Sequence, residues 1–256
     1  MRISEKIVKI VVDGYGGVGK TTMLKKLQNG VFDPETQLTI GVDFFTNEYE
    51  YFGKQISAQI WDLVGAKRFN FLRPICYKGA NALILVCDLT RPITLERIDY
   101  FVETARKVNI TPDQIILTGT KTDLFYERNI DRHYITAFSE DYGFAEVIET
   151  SARNSHNLEV LFEIATNLAM YKKGLINQEE FSGINELLKN RIKDSNKEIC
   201  QRPVRKCWKC NRSLYYYEFC DTNLSNFSEE RLLELWENNH IEFYCCACYK
   251  ELKKNK

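Results

Sequence analysis

Two groups of residues in this chain have the types and spacing to do chemistry. The first is Gly14-Tyr-Gly-Gly-Val-Gly-Lys-Thr21, which fits G-x-x-x-x-G-K-[ST]. Glycines at Gly14, Gly16, Gly17 and Gly19, with Val18 between the last two, let backbone N–H groups curl around phosphate oxygens. A helix starting at the end of such a loop adds partial positive charge. Lys20 reaches β- and γ-phosphates as a point charge, and the Thr21 hydroxyl suits magnesium. The motif alone does not choose between ATP and GTP. The second group is a pair of C-x2-C knuckles, Cys207-Trp-Lys-Cys210 and Cys245-Cys-Ala-Cys248, with 34 residues between them. Four thiolates at this spacing suit tetrahedral zinc, although the gap exceeds the usual ~15–20 residues of such sites. Cys220, Cys246 and His240 are reserve ligands. No open position or general base is evident, so the expected zinc is structural.

These groups need elements to position them. Lys6 to Asp13 is short, β-branched and ended by glycine, as a buried strand is. Thr21 to Asn29 reads as a helix stopped by Gly30. Phe45–Tyr51 and Gln55–Trp61 read as a hairpin turning at Gly53-Lys54. Ala82 to Asp88 is almost wholly apolar, which suits a strand covered on both faces. Ile115–Thr118 and Val147–Thr150 are further strands, with helical patterns at Ile93–Val108, Asp131–Tyr142 and Leu158–Met170. Alternating strands and helices imply an α/β fold with a mostly parallel sheet and right-handed crossovers. After Lys173, Phe181, Ile184, Leu188 and Ile192 recur at helical spacing and predict an amphipathic connector helix. In the cysteine-rich end, Leu214–Phe219 and Ile241–Tyr244 read as strands. Between them, Ser228 reads as the cap of a helix bearing Leu232, Leu235 and Trp236.

The motifs around the phosphate loop resemble those of the Ras superfamily of small GTPases, nearest the Rab branch. Trp61-Asp-Leu-Val-Gly65 matches the second phosphate motif, and Thr39-Ile-Gly-Val-Asp-Phe44 the first switch segment. Tyr77-Lys-Gly-Ala80 and Leu83-Ile-Leu-Val86 are similar to Rab sequence. Thr120-Lys-Thr-Asp123 resembles the guanine-reading N/T-K-x-D motif, and Glu149-Thr-Ser-Ala152 the last guanine motif. The resemblance covers about two-thirds of the chain, residues 1–173, and implies a P-loop G domain: a mostly parallel six-stranded sheet with helices on both faces. It implies a switch that binds GTP or GDP with Mg2+, hydrolyses GTP, and works with effectors, exchange factors and GTPase-activating proteins. By the resemblance, Thr21, Thr39 and Asp62 hold magnesium, and Lys20, Thr39 and Gly65 serve the γ-phosphate. Phe32 sets an aromatic edge against the base. The Lys121 stem packs along the guanine plane, the Asp123 carboxylate accepts from N1–H and the exocyclic amine, and the Ala152 N–H donates to O6. Thr22, Thr120, Ser151 and Arg153 complete the nucleotide set. Adenine would leave those buried partners unsatisfied.

The pattern breaks at Gly65-Ala66-Lys67, where the family expects Gly-Gln-Glu. That Gln orients the attacking water, and an Ala methyl cannot. Slow intrinsic hydrolysis is therefore expected; the alternative is a GTP-loaded scaffold that does not turn over. Residues 174–200 are expected to connect the G domain to a zinc module at 201–256, which serves as a docking device for a protein partner.

Composition narrows the field. Lys+Arg and Asp+Glu are both 35 among 256 residues, so no net field argues for nucleic acid or an anionic membrane. Residues 201–256 hold 10 basic and 8 acidic side chains, too balanced for a nucleic-acid footprint. No apolar run approaches a spanning helix, and no apolar signal core opens the chain. Met1-Arg2 and the ending Glu251-Leu-Lys-Lys-Asn-Lys256 carry no lipidation motif. A cytoplasmic protein is expected, with membrane contact only through partners.

Overall fold

The computed structural model describes residues 6–33, 41–51, 53–65, 67–124, 127–200, 205–211, 213–214, 219, 229–238 and 241–244. They form two compact units, divided between Arg191 and Ile192.

The first unit is built on a six-stranded sheet of order β2-β3-β1-β4-β5-β6. The strands are β1 (Ile7–Gly14), β2 (Val42–Tyr51), β3 (Lys54–Leu63), β4 (Ala82–Asp88), β5 (Ile115–Thr120) and β6 (Glu146–Glu149). Only the β2–β3 hairpin is antiparallel; the other four pairings are parallel. All seven residues of β4 and all six of β5 are buried, as expected for strands covered on both faces by helices. The helices are α1 (Lys20–Asn29), α2 (Arg73–Tyr77), α3 (Ile93–Glu96), α4 (Ile98–Arg106), α5 (Arg132–Tyr142), α6 (Leu158–Lys172) and α7 (Gln178–Cys200). Gly30 ends α1 in the left-handed region, with its N–H returning to the Lys26 carbonyl. Asp131 caps α5 by accepting from the His133 N–H. Parallel strands place their C-terminal ends along one edge, the usual position of ligand sites in such sheets.

One predicted helix is two. Ile93–Val108 breaks at Arg97, whose ψ of −5° departs from a regular helix. The first turn is tied to the end of β4, because Thr94 Oγ1 accepts from the Asp88 N–H and donates to the Arg91 carbonyl. The longer α4 then runs with Ile98, Phe101, Val102 and Ala105 buried. Helix α7 packs its first half on α6: Tyr171 and Phe181 stack at 4.7 Å, Leu188 is buried, and Arg191 pairs with Glu163.

In the second unit, Cys207, Leu214, Trp236 and Phe243 form a small core, with Phe219, Ile241 and Tyr244 against it. Strands β7 (Arg205–Lys206) and β8 (Ser213–Leu214) pair, and helix α8 covers Glu229–Glu237. Ile241–Tyr244, predicted as a strand, joins no ladder among the described residues; the Trp208 N–H donates to the Phe243 carbonyl at 2.8 Å. Residues 215–218 of the other predicted strand, and the cap Ser228, lie outside the described residues.

Candidate functional site

The phosphate loop joins β1 to α1. Lys20, buried at the first position of α1, donates to the carbonyls of Gly14 and Tyr15 at 3.0 and 3.1 Å. Thr120 Oγ1, at the end of β5, donates to the Val18 carbonyl at 2.6 Å. A planar peptide points its N–H opposite its C=O. Carbonyls fixed by these side chains also fix the direction of the N–H groups that follow them in the chain.

Beside the loop, Thr21 Oγ1 donates to Asp62 Oδ2 at 2.5 Å. Asp62 is fully buried, and its Oδ1 has no hydrogen-bond partner among the described residues. Burial pushes the carboxyl up to about 6, against the pull of the Thr21 bond and Lys20. A hydroxyl, a buried carboxylate with an orphaned acceptor and hard oxygen chemistry fit Mg2+. Thr39, expected as a further ligand, lies outside the described residues, as do Ala66 and the second-knuckle cysteines.

A cavity of about 630 Å³ opens next to the loop, lined by Gly17, Gly19, Thr22, Phe32, Thr120, Lys121, Asp123, Ala152 and Arg153. These are nine of the positions expected from sequence. Met23, Asp33, Leu124 and Thr150 also line it and were not anticipated. Asp123 Oδ1 accepts from Ser151 Oγ at 2.5 Å, and the same Ser151 oxygen accepts from the Arg153 N–H at 3.1 Å. The two guanine-reading segments thus hold each other. Arg128 grips Glu149 with two hydrogen bonds of 3.0 and 2.6 Å, anchoring the second segment. Lys121 sits at φ 67°, a conformation held by its ion pair with buried Asp88 at 2.8 Å.

The edge of the sheet, the anion-ready loop, the Thr21–Asp62 pair and the Ser151-braced Asp123 occur together. A model of the Ras family matches residues 9–170. The chain belongs to the Ras family. It is 34% identical over 156 residues to Ras-related protein Rab-19 of Rattus norvegicus, covering 61% of this chain and 72% of the relative. To Rab-19 of Xenopus laevis it is 31% identical over 197 residues, 77% of this chain and 90% of the relative. To Ras-related protein YPTC6 of Chlamydomonas reinhardtii it is 36% identical over 157 residues, 61% and 72%. As a Ras-family small GTPase, it is a nucleotide-binding molecular switch. Proteins of this kind work with GTP, GDP and Mg2+, and with effectors, exchange factors and activating proteins.

Two features of this Ras-family site escape a sequence reading. Gly65 abuts the phosphate loop: a Cβ there would stand 2.6 Å from the Gly16 nitrogen and 2.7 Å from the Tyr15 carbonyl carbon. Gly65→Ala is expected to weaken GTP binding roughly tenfold, since overpacking costs ~1–3 kcal/mol and ~1.4 kcal/mol is tenfold. Competition against labelled GDP measures it, and unchanged affinity would show that the two segments part freely. The other feature is a buried charge cluster under the loop. Asp13 Oδ2 accepts from Arg73 Nε at 2.7 Å and from the Tyr77 hydroxyl at 2.9 Å, and Arg73 Nη2 donates to the Val64 carbonyl at 3.1 Å. The available signal was a carboxylate at the end of the apolar run Ile10–Val12, all of it buried.

Proposed function

We propose that this Ras-family switch turns GTP over slowly on its own and depends on a partner for hydrolysis. The observation that carries the reading is Ala66, a methyl where the family's water-orienting Gln stands. In the proposed assignment, Lys20 and the loop N–H groups bind the phosphates, Gly65 meets the γ-phosphate, and Thr21, Thr39 and Asp62 hold Mg2+. Lys121, Asp123 and Ala152 read guanine, and Phe32 flanks the base. When bound, Mg2+ supplies charge neutralisation at the β- and γ-oxygens. The protein's own groups bind and orient the nucleotide, but the side chain at 66 offers the attacking water no hydrogen bond. Lys67 is no substitute, because a protonated ammonium cannot accept a proton. GTP orders the switch segments, roughly residues 33–43 and 65–77, and its loss releases them. A single-turnover assay on GTP-loaded protein tests the reading; a rate matching ordinary Rab proteins would sink it. A rate at the solvent background even with activating proteins would favour the second reading, a GTP-loaded scaffold.

We also propose that residues 201–256 bind structural zinc through Cys207, Cys210, Cys245 and Cys248 and dock a protein partner. Three observations support this. The Asn211 N–H returns to the Cys207 carbonyl at 2.9 Å, and Asn211 itself sits at φ 57°, so Cys207–Cys210 closes a tight turn. The Trp208 N–H bond to the Phe243 carbonyl brings that turn to the chain two residues before Cys245. And the core around Trp236 is small enough that a metal staple fits its size. Among the described residues no group of three metal-ligating side chains assembles; the second knuckle lies outside them. Purified protein is expected to carry one zinc per chain, read by mass spectrometry of the native protein. Cys207→Ser should lose it, along with protease resistance of the C-terminal unit; a zinc-free, protease-resistant unit in the unaltered protein would refute the assignment. A cytoplasmic location is proposed with it. No helix among the described residues is long and apolar enough to cross a membrane.

A further inference from the structure

We infer that Arg91 is a positioning residue that holds the phosphate loop in its anion-binding shape and links that loop to the base-reading lysine. The inference rests on the reading of the cavity as a guanine-nucleotide site. Arg91 follows β4 by three residues. Its Nη2 donates to the Gly17 carbonyl at 2.7 Å and to the Gly16 carbonyl at 3.3 Å. Its Nε donates to Asp88 Oδ2 at 2.8 Å. Gly17 sits at φ 72°, a left-handed conformation that glycine favours, and the guanidinium lies close against it, Nη2 3.6 Å from where a Cβ would be.

The anchor is rigid. Asp88 is fully buried, and its Oδ1 accepts from the N–H and hydroxyl of Thr90 at 2.9 and 2.7 Å. Burial raises its carboxyl, but bonds from Lys121, Thr90 and Arg91 outweigh that and hold it below the usual carboxylate range. Asp88 Oδ2 also pairs with Lys121 Nζ at 2.8 Å. One buried carboxylate therefore fixes both the cation that grips the phosphate loop and the cation beside the base cavity.

The neighbouring carbonyls show what Arg91 adds. Lys20 takes Gly14 and Tyr15, and Thr120 takes Val18. Gly16 and Gly17, the most permissive part of the loop, are left to Arg91. With it, each of the five consecutive carbonyls from Gly14 to Val18 has a side-chain partner, so the peptide groups between them are fixed in direction before any nucleotide arrives. Without it, Gly16 and Gly17 must be ordered by the nucleotide itself, which subtracts from affinity. The planar fork is essential, because it spans a carboxylate and two carbonyls together, which an ammonium cannot.

The test compares unaltered protein with Arg91→Met and Arg91→Lys, measuring release of labelled GDP and equilibrium affinity for GDP and GMP. Both variants are expected to release GDP roughly tenfold faster, the scale of one lost charge-assisted hydrogen bond. GMP affinity should be unchanged, because it lacks the β-phosphate that the loop cradles. If Arg91→Lys behaves like the unaltered protein, only the positive charge matters and the positioning role is overturned. Equal losses for GDP and GMP, or a lowered melting temperature with no change in release, would overturn it in favour of a general structural role. If the unaltered protein binds no GDP, the nucleotide reading fails instead, and the outcome is distinguishable from failure of Arg91 alone.

Discussion

Replacing Ala66 by Gln is expected to raise the single-turnover rate of GTP hydrolysis by roughly 100- to 1000-fold, the range for restoring one well-placed polar group in such a site. The surroundings favour a gain rather than a neutral change. Gly65 is seated directly on Tyr15 and Gly16, and the Val64 carbonyl before it is held by buried Arg73. The backbone of Gly65 is thus held against the phosphate loop, one residue before the position where the family's Gln stands. The affinity for GTP and GDP should change little, since the group acts on the water and not on the bound phosphates. A rise in affinity without a rise in rate would show that the residue at 66 tunes switch order instead. An unchanged rate would show that some other group already orients water, and the slow-switch reading would fall with it.

What was legible in the sequence follows the range of the interactions. Ala82–Asp88 announced a two-sided strand because burial on both faces leaves no polar alternation, and all seven residues are buried. Gly30 announced the end of α1 because one residue's left-handed backbone closes the turn. The guanine segments were legible as motifs, although the Ser151–Asp123 bond that braces them joins residues 28 apart. Contacts between distant residues of ordinary type carried no such mark. Arg91 reaches Gly17 across 74 positions, and Arg73 reaches Asp13 across 60. Nothing local distinguishes either arginine from a solvated one. The break at Arg97 was hidden for the opposite reason: the buried pattern of Leu95, Ile98, Phe101 and Val102 continues smoothly through it, and only the Thr94 tie to Asp88 divides the helix.

Arg73→Met is expected to destabilise the G domain by ~3–5 kcal/mol, because it leaves Asp13 as a buried charge without its main partner. Asp13 is 0% exposed and Arg73 2%, so water cannot take over. Burial already raises the Asp13 carboxyl, opposed by Arg73 and Lys20; removing Arg73 raises it further. A carboxyl with a raised folded pKa subtracts stability at pH above that pKa, and the penalty fades as pH falls through it toward the unfolded value. The loss in Arg73→Met should therefore be larger at pH 8 than at pH 5. The double variant Asp13→Val with Arg73→Met should recover most of the loss, since an apolar pair can replace a buried ion pair at little net cost. What it does not recover belongs to the Gly14 N–H, the Tyr77 hydroxyl and the Val64 carbonyl, each stripped of a partner. The Val64 contact also makes a functional prediction separable from stability. At temperatures where the double variant is fully folded, its start of switch II is no longer tied to β1, and hydrogen exchange at residues 64–72 should quicken. Chemical unfolding in saturating GDP and Mg2+ measures the energies. A loss under ~1 kcal/mol in Arg73→Met, or one that grows at low pH, would show that the pair is not the buried link between phosphate loop and switch that its geometry describes.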